Sequence, residues 1–156
     1  MIDVLILVPT PHTASNNEAI LHRFKRIWVL MAPDGRTVLV IDDDRVLADT
    51  LSEILRKNGF TPVALYSGEE ALELAERLRP EIVLSDIRMS RIDGVEAAKR
   101  IRALHPDCRV ILFTAHVVST SMRRMIEGMG FELLQRPLHP EHVLSVLRRQ
   151  PDATGI

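Results

Sequence analysis

The chain carries a single cysteine, Cys108, so no intrachain disulfide can form. A lone thiol fits a reducing compartment, and the expectation is a cytoplasmic protein. Charge of neither sign dominates: 20 Lys and Arg stand against 21 Asp and Glu, a formal net charge of −1. That balance gives no electrostatic reason to expect nucleic acid or an anionic membrane as the main partner. No apolar stretch approaches the roughly 20 residues of a transmembrane helix. The run Val4–Val8 is short, follows Asp3 and lacks a basic leader, so it does not read as a signal peptide. There is no internal repeat and no low-complexity tract. Zinc-like spacing of Cys and His is missing too, and His139 and His142 read as surface histidines.

What is present divides near residue 36. Before it, Val4–Val8 predicts a strand, and Pro9-Thr10-Pro11 breaks it. A helix from about Asn17 to Met31 would carry Ile20, Leu21, Phe24, Ile27, Trp28 and Met31 as one apolar stripe. Two readings of residues 1–36 stand open: a docking or dimerisation helix, or a non-native extension ahead of a start at Met31. Ala32-Pro33-Asp34-Gly35 is the linker. From Thr37 onward, five β/α units are expected. Strands are read at 37–41, 62–66, 82–85, 109–113 and 131–134. Helices are read at about 45–58, 68–78, 94–104, 119–128 and 140–149. Gly59 would stop the first helix. Pro62 opens the second strand, as an edge strand tolerates. Ser67-Gly68-Glu69-Glu70 and Asp93-Gly94-Val95-Glu96 read as capping boxes. Met122, Met125 and Met129 form a stripe on the fourth helix that ordinary core packing would explain, with an adaptable partner surface as the alternative. Residues 150–156 are expected to fray.

Four polar signals sit at the ends of apolar runs. Asp42-Asp43-Asp44 follow Val38–Ile41, and Asp86 follows Ile82–Ser85. Thr114 follows Val110–Phe113, and Arg136-Pro137 follow Leu133-Leu134 and Gln135. Strands alternating with helices predict a parallel sheet, and such sheets bind ligands beyond the carboxyl ends of their strands. All four signals should therefore meet in one pocket. Adjacent carboxylates repel unless a cation offsets them. Asp42, Asp43 and Asp86 are hard oxygen donors that favour Mg²⁺. A simple helix cap needs one Asp, not three, and leaves Asp86 unexplained. With a metal present, one carboxylate can attack phosphorus, while Thr114 and Arg136 stabilise the transferred group.

At this point residues 37–149 resemble the receiver domain of two-component response regulators. The resemblance rests on Val38-Leu39-Val40-Ile41-Asp42-Asp43-Asp44, on Ile82 through Asp86 to Asp93-Gly94, on Val110-Ile111-Leu112-Phe113-Thr114-Ala115, and on Arg136-Pro137. It implies a flavodoxin-like, doubly wound α/β fold with five parallel strands in the order 2-1-3-4-5. It implies that Asp86 accepts phosphate from a histidine kinase or histidine phosphotransfer protein. Asp43 would ligate Mg²⁺ directly and Asp42 through water, and the Arg88 carbonyl would complete the protein ligands. Thr114 would bond the phosphoryl group, Ala115 would keep access open, and the peptide before Pro137 would be cis. Arg88 and His116 resemble positions that tune phosphate loss, or are plain loop residues. The fourth helix, fifth strand and fifth helix would form the face for a downstream protein or a homodimer. The implied regulator is a single-domain one of the chemotaxis type, a phosphoacceptor and not a turnover enzyme.

Three departures stand out. Arg136 replaces the usual Lys, which is not a conservative change because a guanidinium prefers forked contacts. Leu133 stands where the family has an aromatic, and Phe131 would reach that place only through a loop shift. Ser90 replaces a Pro, which should loosen its turn. Two other functions remain as alternatives. One is a degenerate pseudo-receiver that binds without switching, for which Arg136 and Leu133 speak. The other is a phosphatase of the haloacid-dehalogenase type, with Asp42 as nucleophile and Asp44 as acid/base.

Overall fold

The computed structural model describes residues 35–149. The strand expected at Val4–Val8, the helix expected at 17–31 and the tail 150–156 lie outside the described residues. Ten elements alternate: β1 Thr37–Ile41, α1 Arg45–Lys57, β2 Thr61–Leu65, α2 Gly68–Ala75, β3 Ile82–Asp86, α3 Gly94–Leu104, β4 Arg109–Thr114, α4 Thr120–Gly128, β5 Glu132–Gln135 and α5 Pro140–Arg148. The strands form one parallel sheet in the order β2-β1-β3-β4-β5. This is the expected doubly wound arrangement. No helix among the described residues is long and apolar enough to cross a membrane.

The order follows from burial. β1 and β3 lie inside the sheet, and every residue in both is buried. Strands covered on both faces need continuous apolar runs rather than alternation. Val38–Ile41 and Ile82–Leu84 supply them, all but solvent-free. Alternate residues still serve opposite faces. Val38, Val40, Ile82 and Leu84 join Leu51 and Leu55 of α1 and Val143 and Leu147 of α5 in one core cluster. On α1 the buried residues are Ala48, Leu51, Ser52 and Leu55, one turn apart, and Leu47 and Ile54 pack at the margin. β2 is an edge strand, so Pro62 costs the sheet no interior bond.

Local signals set the helix ends. Asp44, Ser67, Asp93 and Ser119 each accept an amide hydrogen bond at a helix start. Gly59 stops α1 with φ +87°, a conformation that other residues adopt only with strain. Neither capping box closes in the expected way. The Glu70 carboxylate accepts from the Tyr66 amide at 3.0 Å rather than from that of Ser67. Glu96 turns outward to Arg100 and Lys99, at 2.8 and 3.3 Å. In the second case a nearby cation outcompetes the backbone amide. β2 and β5 shift by a residue, β3 and β4 run one residue further to take in Asp86 and Thr114, and α2 ends three residues short, at Ala75. Beyond it the amides of Arg77 and Leu78 both bond back to the Leu74 carbonyl, so the chain tightens into a turn ahead of Pro80.

The methionine stripe of α4 only partly packs on the core: Met122 and Met129 are half-buried, and Met125 is not covered. Ile126 is the one buried residue of this helix, and Met125 is 47% exposed. Replacing Ile126 by Ala should therefore cost roughly 2–4 kcal/mol, whereas Met125→Ala should stay within about 0.5 kcal/mol. Urea unfolding of both variants checks this. Equal losses would place the methionines in the core after all.

Candidate functional site

The sheet order puts β1 beside β3, with Ile41 in register with Ser85. The residues that follow these partners leave the carboxyl edge together. Asp42, Asp43 and Asp86 converge there, and their ligand oxygens all lie within 4.8 Å of one another. Asp42 and Asp86 are buried and Asp43 is exposed. The triplet divides its work. Asp42 Oδ1 accepts from the Asp44 amide at 2.9 Å, which holds the carboxylate in the pocket. Asp44 turns away and caps α1 through the Leu47 amide at 3.2 Å. The capping explanation thus holds for one of the three. It also occupies the residue that a phosphatase of the Asp42-x-Asp44 kind would need as acid/base.

Arg136 reaches this cluster from the end of β5. Its Nη2 lies 2.5 Å from Asp42 Oδ2 and 3.8 Å from Asp86 Oδ1. The guanidinium rests over the Phe113 ring, 5.1 Å from its centre. The Arg136 amide donates to the Thr114 carbonyl at 2.9 Å, which ties the β5 end to the β4 end. The peptide between Arg136 and Pro137 is cis, as expected.

Thr114 is buried, one residue past Phe113, which is in register with Asp86. Its hydroxyl oxygen accepts from the His116 amide at 3.2 Å. The hydroxyl proton is therefore not used in that bond. Arg88, Ala115 and His116 are exposed around the rim. Leu133 is half-buried and in register with Leu112. Phe131 stays ahead of β5, buried, with its amide bonded to the Ile126 carbonyl. Ser90 is exposed. His139 and His142 are exposed too, and neither belongs to a metal-type cluster among the described residues.

Electrostatically the pocket holds three carboxylates against one guanidinium. Burial pushes the Asp42 carboxyl up to about 6, opposed by the Asp44 amide and Arg136, with Asp86 and Asp43 pushing the same way as burial. Asp86 is also raised, first by burial and then by Asp43, with Arg136 opposing. Buried like charges of this kind call for a further cation.

Two contributors escape a sequence reading. The amide of Gly94, the first residue of α3, donates to the Ile87 carbonyl at 2.9 Å, and a Cβ there would fall 1.8 Å from the Asp86 carbonyl oxygen. Only glycine lets α3 press against the acidic strand end. Buried Ser85 donates to the same carbonyl at 3.0 Å. Gly94 was legible only as part of a cap and of the Asp93-Gly94 match, without this role, and Ser85 carried no signal.

Comparison with known proteins agrees with this geometry. A family model described as the response regulator receiver domain matches residues 38–148. Response regulator MprA of Mycobacterium ulcerans (strain Agy99) is 30% identical over 111 residues, 71% of this chain and 48% of that protein. A cyclic di-GMP phosphodiesterase of Thermotoga maritima is 27% identical over 105 residues, 67% of this chain and 28% of that protein. The chain spans about half the length, or less, of these curated relatives. Among solved structures, chemotaxis protein CheY4 of Vibrio cholerae matches with a TM-score of 0.68 at 25% identity, covering 74% of this chain and 98% of that one. A response regulator from Burkholderia pseudomallei, solved with a phosphorylated aspartic acid, a calcium ion and citrate, gives a TM-score of 0.67 at 27% identity, covering 72% and 66%.

The raised Asp42 has a measurable consequence. Between pH 3.8 and about 6 the folded, metal-free protein holds a proton on Asp42 that the unfolded chain releases. A group bound more tightly to its proton when folded stabilises at low pH and loses that contribution as pH rises. Asp42→Asn removes the Asp42 share of this dependence and leaves that of Asp86. In EDTA, the variant should gain stability relative to the parent as pH rises through this window, read by urea unfolding. Parallel pH profiles would contradict it.

Proposed function

We propose a phosphoacceptor role for this chain, which belongs to the response regulator receiver domain family. The observation that carries the proposal is Asp86, at the carboxyl edge of β3, gathered with Asp42 and Asp43 within 4.8 Å. A carboxylate oxygen of Asp86 would attack the phosphorus of a phosphohistidine on a histidine kinase or histidine phosphotransfer protein. An O–P bond forms as the N–P bond breaks, and the imidazole leaves with its electron pair and takes up a proton from solvent.

The all-oxygen donor set fits Mg²⁺, with Asp42, Asp43, Asp86 and the Arg88 carbonyl as the groups that would hold it. Bound there, Mg²⁺ would offset the carboxylate repulsion and draw charge from the phosphoryl oxygens. Thr114 would turn its hydroxyl proton to a phosphoryl oxygen, and the Arg136 guanidinium would offset the group's charge. The Burkholderia response regulator, with its phosphorylated aspartic acid and calcium ion, supports the same pairing of acceptor and divalent cation.

In this reading residues 37–149 are the receiver unit, residues 1–36 an extension, and the setting cytoplasmic. The chain is a phosphoacceptor that assists its own modification, rather than a turnover enzyme. The modified state would act through protein contact at the face of α4, β5 and α5, with a downstream protein or a second copy. The loose seat of α4, with one buried residue, supports a face that can shift.

Acetyl phosphate with Mg²⁺ should add one phosphoryl group to the chain, and Asp86→Asn should abolish the addition, read by intact mass. Equal labelling of the variant, or phosphate mapped to Asp42, would refute the assignment.

A further inference from the structure

Asp42, the most buried acid of the cluster, has no idle oxygen. Oδ1 takes the Asp44 amide at 2.9 Å and Oδ2 takes Arg136 at 2.5 Å. The same guanidinium nitrogen stands 3.8 Å from Asp86. It therefore lies between the two buried carboxylates that a divalent cation would share. That one nitrogen makes both contacts while the guanidinium plane rests over the Phe113 ring, a seat that depends on a flat, stacking cation and that a lysine ammonium, a compact point charge, does not reproduce. The seat is also incomplete. Arg136 Nε is buried and has no hydrogen-bond partner, and the side chain keeps 26% of its surface exposed. A donor left unsatisfied makes the inward position costly, and the exposed side gives it a way out.

From this arrangement, and resting on the receiver reading above, we propose that Arg136 is a built-in counter-cation that gates the acidic pocket. In the resting protein it bridges Asp42 and Asp86 and excludes the divalent ion. Entry of the ion requires the guanidinium to withdraw from Asp42, and the freed fork is then placed to meet a phosphoryl group on Asp86. The departure from Lys thus makes metal entry, rather than acceptor chemistry, the controlled step.

The test is Mg²⁺ affinity of the full chain, by calorimetry in metal-free buffer, for the parent, Arg136→Lys and Arg136→Gln. A gate predicts that Arg136→Lys, which keeps the charge but loses the bridge, binds Mg²⁺ about tenfold more tightly than the parent. Arg136→Gln should bind at least as tightly as the Lys variant. Unchanged affinity in Arg136→Lys would overturn the gate, whether or not the Gln variant tightens. A second readout needs no variant. The Arg136 Nε–H signal in NMR should move during a Mg²⁺ titration with the same midpoint as the Asp42 amide, and a stationary Arg136 signal would also overturn it. Asp86 labelling by acetyl phosphate is scored separately. A labelled Asp86 with no change in Arg136→Lys sinks the gate alone, while a gated pocket with an unlabelled Asp86 sinks the phosphoacceptor reading alone.

Discussion

The constraint on which the site depends is an excess of negative charge in a place with little water. Two buried carboxylates and a third at the rim face one guanidinium. The fold creates this excess, since it brings the ends of β1 and β3 side by side and leaves the acids nowhere else to go. One internal cation relieves part of it, and the raised pKa values of Asp42 and Asp86, owed first to burial, express the remainder. Such an excess of carboxylate charge is relieved by a proton or by a further cation. In the proposed function, cation binding and phosphate acceptance by Asp86 would both follow from this one electrostatic imbalance.

The rest of the domain holds that imbalance in place. The apolar runs of β1 and β3 make a rigid centre, and Asp44 anchors α1 immediately after the acidic pair. Gly94 lets α3 approach the Asp86 carbonyl, so the end of β3 is packed closely against α3. At the other end of the sheet the packing is looser. α4 buries a single side chain, and β5 has the shortest run among the strands. Rigidity near the acids and slack near α4 suit a site whose charge state is read out by movement elsewhere.

Much of this was legible in the chain itself. Apolar runs of strand length alternate with helical patterns, so five β/α units could be read with boundaries off by a residue or so in most places. The rule that ligands sit beyond the carboxyl ends of parallel strands brought Asp42, Asp43, Asp86, Thr114 and Arg136 to one edge. What stayed hidden depends on side-chain competition in three dimensions. Asp44 and Asp42 look alike in sequence, yet one caps a helix and the other is buried. Glu96 had a backbone donor within reach and chose Arg100. The methionines of α4 kept a helical period, yet two of them are half-buried and Met125 is exposed. Arg136 is 94 residues from Asp42, and no local pattern reveals that its fork ends between two acids.

The central claim is that Asp42, Asp43 and Asp86 act as one cation cradle. Mn²⁺ prefers the same hard oxygen donors as Mg²⁺ and broadens nearby NMR signals. Substoichiometric Mn²⁺ should erase the amide signals of Asp42 to Asp44, Asp86 to Arg88 and Thr114 to His116 together. Broadening centred on His139 and His142, or none at the acidic edge, would contradict the account.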